Sequence, residues 1–578
     1  MLPSIDSSFL LGTLFVCSLL ASCSVATAQP KPAADLVITN ARVWTVDSSQ
    51  PRAEAIAILG ERIVAVGSVN AIDQWRGAAT RIIDAHGHLL LPGFNDAHVH
   101  FSAGGLSLDA IDLRDAATPS EFARRIAERA AKTPAGEWIT GGNWDDQVWA
   151  QKSGGRAELP TRQLIDASTG NVPVLVSRLD GHMALANTAA LKIIGITRNS
   201  PDPPGGEIVR DSNGEPTGVL KDAAMGAAYA KVPPLSHEQR LSAVQRAMAH
   251  AARLGVTSVQ DMAVPYEDLA VYSELAERGE LTVRVYVVPG IARWEDQAKL
   301  GLRHASGSSW LRYGAVKAFA DGSLGSTTAY MSAPYLDAPS SYGLLGEDMI
   351  PADKIQSNLL GVDRAGMHAC VHAIGDRAVS TVLDLFAEVE KQDGARDRRF
   401  RIEHAQHVAK SDFHRLRDLG VVVSMQPYHA IDDGRWAETR ISHDLATRSY
   451  AWRTMLQNHI HLAFGTDWPV APLEPLTSVY AAVTRATLDG KHSQGWYPEQ
   501  MLTVAEAIEV YTLGSAFAEF QEMQKGTITT GKLADVILLS DDIFTIEPKA
   551  IRDVTVELTV VGGRVVYESN WGTRPQPR

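Results

Sequence analysis

From Leu91 to about residue 521, short apolar β runs alternate with helical stretches. A first strand ends in His98-Val99-His100. Seven more follow at Val256–Met262, Leu281–Val288, Tyr313–Phe319, Met367–His372, Phe400–His404, Gly420–Met425 and His461–Gly465, most of them separated by helices such as His237–Arg253 and Ala378–Lys391. Eight strand-then-helix units predict an α/β domain closed into a (β/α)8 barrel, with its chemistry at the C-terminal strand ends. The interval 101–253 is too long for one connection. It contains its own helix (Ser120–Ala131), a Trp-rich stretch (Trp138, Trp144, Trp149), an apolar strand (Val172–Val176) and the turn Pro203-Pro204-Gly205-Gly206, and so reads as an insertion over the barrel mouth.

The two ends share a different texture. Residues 34–90 carry short runs (Leu36-Val37-Ile38, Arg42 to Val46, Ala55 to Ile58, Arg62 to Val66) broken by Asn40, Asp47-Ser48-Ser49 and Gly60-Glu61. Residues 522–570 carry Gly526-Thr527-Ile528, Ala534 to Leu539, Val556 to Val561 and Arg564 to Tyr567, with turn signals at Gly531-Lys532 and Gly562-Gly563. These are strand and hairpin patterns. Half-sheets at opposite ends most simply complete one small β-sandwich, with the barrel (91–521) inserted between them.

The first residues read as a leader. An apolar run from Phe9 to Leu20 is too short for a comfortable membrane span. It leads to Ala26-Thr27-Ala28, a small-residue cleavage pattern. Export to the bacterial periplasm through a signal peptide over 1–28 is expected, with no transmembrane span in the mature chain. Leu20-Ala21-Ser22-Cys23 also resembles a lipobox, which would anchor the chain through a lipid on Cys23. Cleavage after Ala28 would leave Cys370 as the one cysteine, so core and metal rather than cross-links must hold the fold. The net charge of −13 argues against nucleic acid as a partner, since that needs a basic face. Nothing in the sequence decides between a monomer and a homo-oligomer.

Residues two apart on a strand share a side, so His98 and His100 can meet one target, and paired imidazoles suit a metal. The other strand ends add polar groups. Lys317 lies in the fourth strand, His372 ends the fifth, His404 the sixth, and Asp467 follows the eighth. Four histidines, a lysine and an aspartate at one barrel mouth are hard to explain as ordinary turn residues. Gln426 and His429 follow the seventh strand and are placed to reach the mouth.

The motifs Leu91 to His100 (LPGFNDAHVH), Lys317 to Gly325 (KAFADGSLG), His372 to Arg377 (HAIGDR), Arg401 to Gln406 (RIEHAQ), Gly465 to Pro469 (GTDWP) and Gly531 to Asp535 (GKLAD) resemble the amidohydrolase superfamily. The specific likeness is to the amidohydrolase-3 group, which includes N-substituted formamide deformylase-like and YtcJ-like proteins. It covers nearly the whole chain after the leader. It implies a metal-bearing TIM barrel with an N/C-terminal β-sandwich. It assigns His98, His100 and Asp467 to one divalent ion, His372 and His404 to a second, and Lys317 to a bridge as a CO₂-derived carbamate. Neutral imidazoles suit Zn²⁺. Burial between Val316 and Phe319 would lower the Lys317 pKa and favour carboxylation; pairing of the ammonium with Asp321 is the alternative. One-metal variants of the superfamily leave the number of ions open.

The resemblance implies hydrolysis of a small-molecule amide, an N-acyl or N-formyl amine. Metal-activated water attacks, Asp467 acts as general base then acid, and His182 or His404 helps polarise the carbonyl. Trp144, Arg178, Asp321 and Trp468 are the expected substrate-binding residues, with bracing of the insertion the competing role for Arg178 and His182 and packing the competing role for the tryptophans. Cys370 is read as a buried small hydrophobe. Two other functions fit the same fold. One is deamination of an amidine-like or heterocyclic substrate, with Glu403 or Asp376 as the added acid and ammonia as product. The other is an exported regulatory or binding protein without turnover, which would carry no stoichiometric metal.

Overall fold

The computed structural model describes residues 32–153 and 158–569. The expected leader, with Cys17 and Cys23, lies outside them. Among the described residues no helix is long and apolar enough to cross a membrane.

The barrel strands are β1 (Phe94–Val99), β2 (Val256–Met262), β3 (Arg284–Val288), β4 (Ala315–Phe319), β5 (His368–Ala373), β6 (Arg401–His404), β7 (Val422–Met425) and β8 (His461–Phe464). They run parallel in sequence order, as two half-sheets. Backbone hydrogen bonds join the halves. Lys317 N–H donates to the Pro289 carbonyl (2.8 Å) at one seam. At the other, Asp467 N–H donates to His98 (2.7 Å) and His100 N–H to Trp468 (2.8 Å). The architecture is a (β/α)8 barrel.

The fourth strand differs from its sequence pattern, which is continuous over Tyr313–Phe319. The chain breaks at Gly314 (φ 97°), where Leu311–Tyr313 pairs with β3 and β4 pairs with β5. A Cβ at Gly314 would lie 1.8 Å from the Arg303 carbonyl oxygen, so only glycine permits this step.

Chain ends interleave in the sandwich. Leu89–Pro92 pairs antiparallel with Val536–Leu539 and parallel with Arg42–Trp44, in a six-stranded sheet that faces a four-stranded one built from residues 36–84. Alternation decides which core each side chain joins. Leu90, Val536 and Leu538 enter the sandwich core, while Leu89, Leu91, Ile537 and Leu539 join the barrel core. The expected strand at Gly526–Ile528 is not one. Ile528 makes a single backbone bond, to Thr45, and serves as a core plug.

Within 101–253, the helix His237–Arg253 forms as expected, opened by a Ser236/Gln239 capping box. It packs on helix Phe101–Ser107, where a Cβ on Gly105 would lie 2.0 Å from the Ala243 carbonyl oxygen. Both helices belong to the barrel shell. The inserted layer is the six-stranded sheet between Ile111 and Asp222, with apolar cores on both faces.

Candidate metal centre

The strand ends converge on a cavity of about 310 Å³ lined by His100, Lys317, His372, His404, His429 and Asp467, with His182 and Arg178 reaching it from the insertion. His98 is fully buried beside them. Its Nε2 lies 3.5 Å from Asp467 Oδ1 and 3.4 Å from Lys317 Nζ, and His100 Nε2 lies 3.3 Å from the same Asp467 oxygen. The His404 ring sits between His98 and His372, tilted to both, with centroids 4.6 and 4.5 Å away. The six residues expected to hold metal are therefore neighbours. Both His404 (φ 73°) and Asp467 (φ 63°) turn into the left-handed region as their strands end, a strained placement of the kind found at functional sites.

An acceptor oxygen fixes one N–H on each imidazole. His98 Nδ1–H donates to Glu403 Oε2 (2.6 Å), His100 Nδ1–H to the Met262 carbonyl (2.9 Å), His372 Nε2–H to the Gly322 carbonyl (3.0 Å) and His404 Nδ1–H to Gln426 Oε1 (2.8 Å). The second nitrogen of each ring is left as a lone pair. Burial holds His98 neutral, its pKa pushed down to about 3, and lowers those of His372 and His404. Asp467 Oδ1 is buried with no hydrogen-bond partner among the described residues. Lone pairs from His98 and His100 facing an orphaned carboxylate oxygen repel one another unless a cation sits between them, so the donor set fits a divalent ion. A second grouping, His404, His429 and Asp467, shares the other carboxylate oxygen, with His429 Nε2 at hydrogen-bond distance, 3.3 Å, from Asp467 Oδ2. Burial also lowers the Lys317 pKa, and no ion pair joins Lys317 to Asp321 among the described residues.

Behind the ligands lies a layer of support. Arg401, buried inside the barrel, holds Glu403 at 2.7 Å and also bonds Gln260, Ser424 and the Ala97 carbonyl. Arg401 and Glu403 alternate with Phe400 and Ile402 along one strand, a pattern of inward-facing charges that the sequence displays. Its role in orienting His98 emerges only in space. Asp96 joins β1 to the loop after β8 by accepting from the Thr466 backbone (2.9 Å) and hydroxyl (2.6 Å).

Three expected substrate-binding residues lie elsewhere. Trp144 is buried in the core of the insertion against Phe122, its Nε1–H bonded to the Val176 carbonyl at 2.9 Å. Trp468 packs on Phe101 and His250, and fills the space where a side chain on Gly104 would stand. Asp321 is buried behind His372. It accepts backbone N–H groups of Tyr330, Ile374 and Gly375 (2.8–2.9 Å), bracing the loop after β5. Arg178 does line the cavity, clamped by Asp146 and Asp180 at 2.7 Å each. His182 presents its ring 5.0 Å from that of His372, and its Nδ1–H donates to Asp222 at 2.6 Å. Asp222, Asp432 and Arg435 carry no motif in the sequence and were reachable only through the fold.

Known proteins share this design. The profile of the amidohydrolase family matches residues 81–567. Protein LONG AFTER FAR-RED 3 of Arabidopsis thaliana is 36% identical, over 92% of both chains. The N-substituted formamide deformylase of Arthrobacter pascens is 28% identical, over 92% of this chain and 98% of its own. A crystal structure of an uncharacterised metal-dependent hydrolase from Pyrococcus horikoshii superposes with a TM-score of 0.72 at 27% identity, covering 89% of this chain and 99% of the other. With the motifs, the barrel and the converging ligands, these matches place the chain in the amidohydrolase family, as a metal-dependent hydrolase of carbon–nitrogen bonds.

Proposed function

We propose that this enzyme hydrolyses N-acyl or N-formyl amines to the amine and the carboxylate. The observation that carries the reading is the orphaned Asp467 Oδ1 facing the lone pairs of His98 and His100 on the cavity floor. His98, His100 and Asp467 would hold one Zn²⁺, and His372 and His404 a second. Lys317, neutral through burial, would bridge them as a carbamate. A bound ion lowers the pKa of water towards neutrality and polarises the amide carbonyl. Asp467 takes the proton as water adds to the carbonyl carbon, then returns it to the amine nitrogen as the C–N bond breaks. His182, held by Asp222, is positioned to donate to the carbonyl oxygen, and His404 borders the same space. Similarity to the formamide deformylase supports this choice of bond.

A hydrolysis screen of N-formyl, N-acetyl, carbamate, lactone and cyclic-amide substrates with metal-loaded protein tests it, with Asp467→Asn as control. Turnover of the amides that Asp467→Asn abolishes is expected; ammonia release with no carboxylate product would replace the reading by deamination. Export through residues 1–28, or anchoring at Cys23, belongs to the same proposal. Mass spectrometry of the mature N-terminus checks it.

A further inference from the structure

Two guanidinium groups face the cavity beyond the metal ligands, and both are paired with carboxylates. Arg178 Nε–H and Nη1–H donate to Asp146 and Asp180 at 2.7 Å each. Arg435 donates to Asp432 and, at 3.1 Å, to Asp145. Asp145 bridges the two arginines, with its other oxygen 3.7 Å from Arg178 Nη2, and so ties the insertion to the segment after β7. One carboxylate beside this clamp is only half engaged. Asp433 accepts from the Tyr450 hydroxyl at 2.5 Å through Oδ2, and its Oδ1 makes no hydrogen bond among the described residues. Burial and neighbouring Asp432 push its pKa up to about 6, as expected where negative charge is crowded. Two basic side chains nearby are also engaged, His182 with Asp222 and His429 with Asp467. Five carboxylates (Asp145, Asp146, Asp180, Asp432, Asp433) thus surround two arginines, so acidic groups outnumber guanidinium groups on this side of the cavity.

The scissile amide must reach the floor where Asp467 stands, so the rest of the substrate occupies the space between Arg178 and Arg435. We infer that this enzyme selects amides whose amine-side substituent is neutral or cationic and discriminates against those bearing a carboxylate, the N-acyl amino acids among them. The inference rests on the amide-hydrolase reading and narrows its substrate class. A carboxylate brought into this low-dielectric space would meet an excess of like charge, whereas an ammonium could pair with Asp433.

The test uses the metal-loaded full chain and the N-formyl derivatives of three amines of matched length: n-pentylamine, cadaverine and δ-aminovalerate. The expected kcat/KM of the δ-aminovalerate derivative is lower than that of the pentylamine derivative by about tenfold or more. The cadaverine derivative is expected to match or exceed the neutral one. The gap should shrink as salt rises and shrink again in Asp433→Asn. Equal or better hydrolysis of the carboxylate substrate would overturn the inference. If none of the three is turned over, the reading of the substrate as an N-formyl amine fails. Affinities of the same three compounds, from calorimetry on the metal-loaded protein, then decide the selectivity separately: tighter binding of the carboxylate compound would overturn it, and the expected order would support it.

Discussion

Nδ1 of His98 and Oε2 of Glu403 lie 2.6 Å apart, and neither side chain touches solvent. The bond fixes the proton on Nδ1 and aims the Nε2 lone pair at Asp467. Arg401 fixes the carboxylate in turn, so a buried charge deep in the barrel sets the geometry of a ligand at its mouth.

Glu403→Gln keeps an acceptor for His98 but removes the charge. Metal affinity is expected to fall about 10–100-fold with the fold intact, read by zinc or cobalt titration. Glu403→Ala strands Arg401 in the core and is expected to cost about 3–5 kcal/mol in urea unfolding. Unchanged metal affinity in Glu403→Gln would mean that His98 needs no charged support.

Asp467→Asn removes the group that exchanges the proton with water and amine. Turnover is expected to drop by about 10²–10⁴-fold while much of the metal, measured by elemental analysis, stays bound through the imidazoles. Near-normal kcat would refute its role.

Trp144 supports the insertion rather than the substrate. Trp144→Phe loses the hydrogen bond to the Val176 carbonyl and is expected to cost about 1–3 kcal/mol of stability. KM should stay at the wild-type value. A large rise in KM without destabilisation would return Trp144 to the substrate wall.

His407 is buried, its Nδ1 bonded to Ser449 and its pKa held down to about 4 by desolvation. The unfolded chain binds that proton near pH 6.5, so from about pH 6.5 down to 4 this residue removes stability at about 1.4 kcal/mol per pH unit. Asp96 and Asp261 act in the opposite sense. Burial raises their pKa to about 7, so the folded state gains protons, and stability, as pH falls from about 7 towards their unfolded value near 3.9. The difference between wild type and His407→Gln isolates the histidine: the variant should lose stability less steeply below about pH 6.5. Parallel profiles would show that His407 binds its proton equally well in the folded and unfolded chain.

Local pattern alone determined a good deal. The alternation of strand and helix, the capping signal at Ser236 and the apolar face of His237–Arg253 are read from neighbours along the chain, and they hold in the structure because each depends on periods of two or 3.6 residues. His98, His100, Lys317, His372, His404 and Asp467 were legible for a related reason: each marks the point where an apolar run stops, and in a parallel barrel all those points lie at one end. Through-space relations were not legible. Trp144 and Trp468 look alike as candidates for an aromatic wall, but burial against Phe122 and against Gly104 turns both away from the cavity. Asp321 looks like a partner for Lys317, yet three backbone N–H groups claim it. The break at Gly314, the clamp of Arg178 and Arg435 through Asp145, and the link from Arg401 through Glu403 to His98 join residues distant in sequence. Only the tertiary structure decides such pairings, because the energy of a buried charge depends on which partner desolvates with it, and that is set by packing rather than by position in the chain.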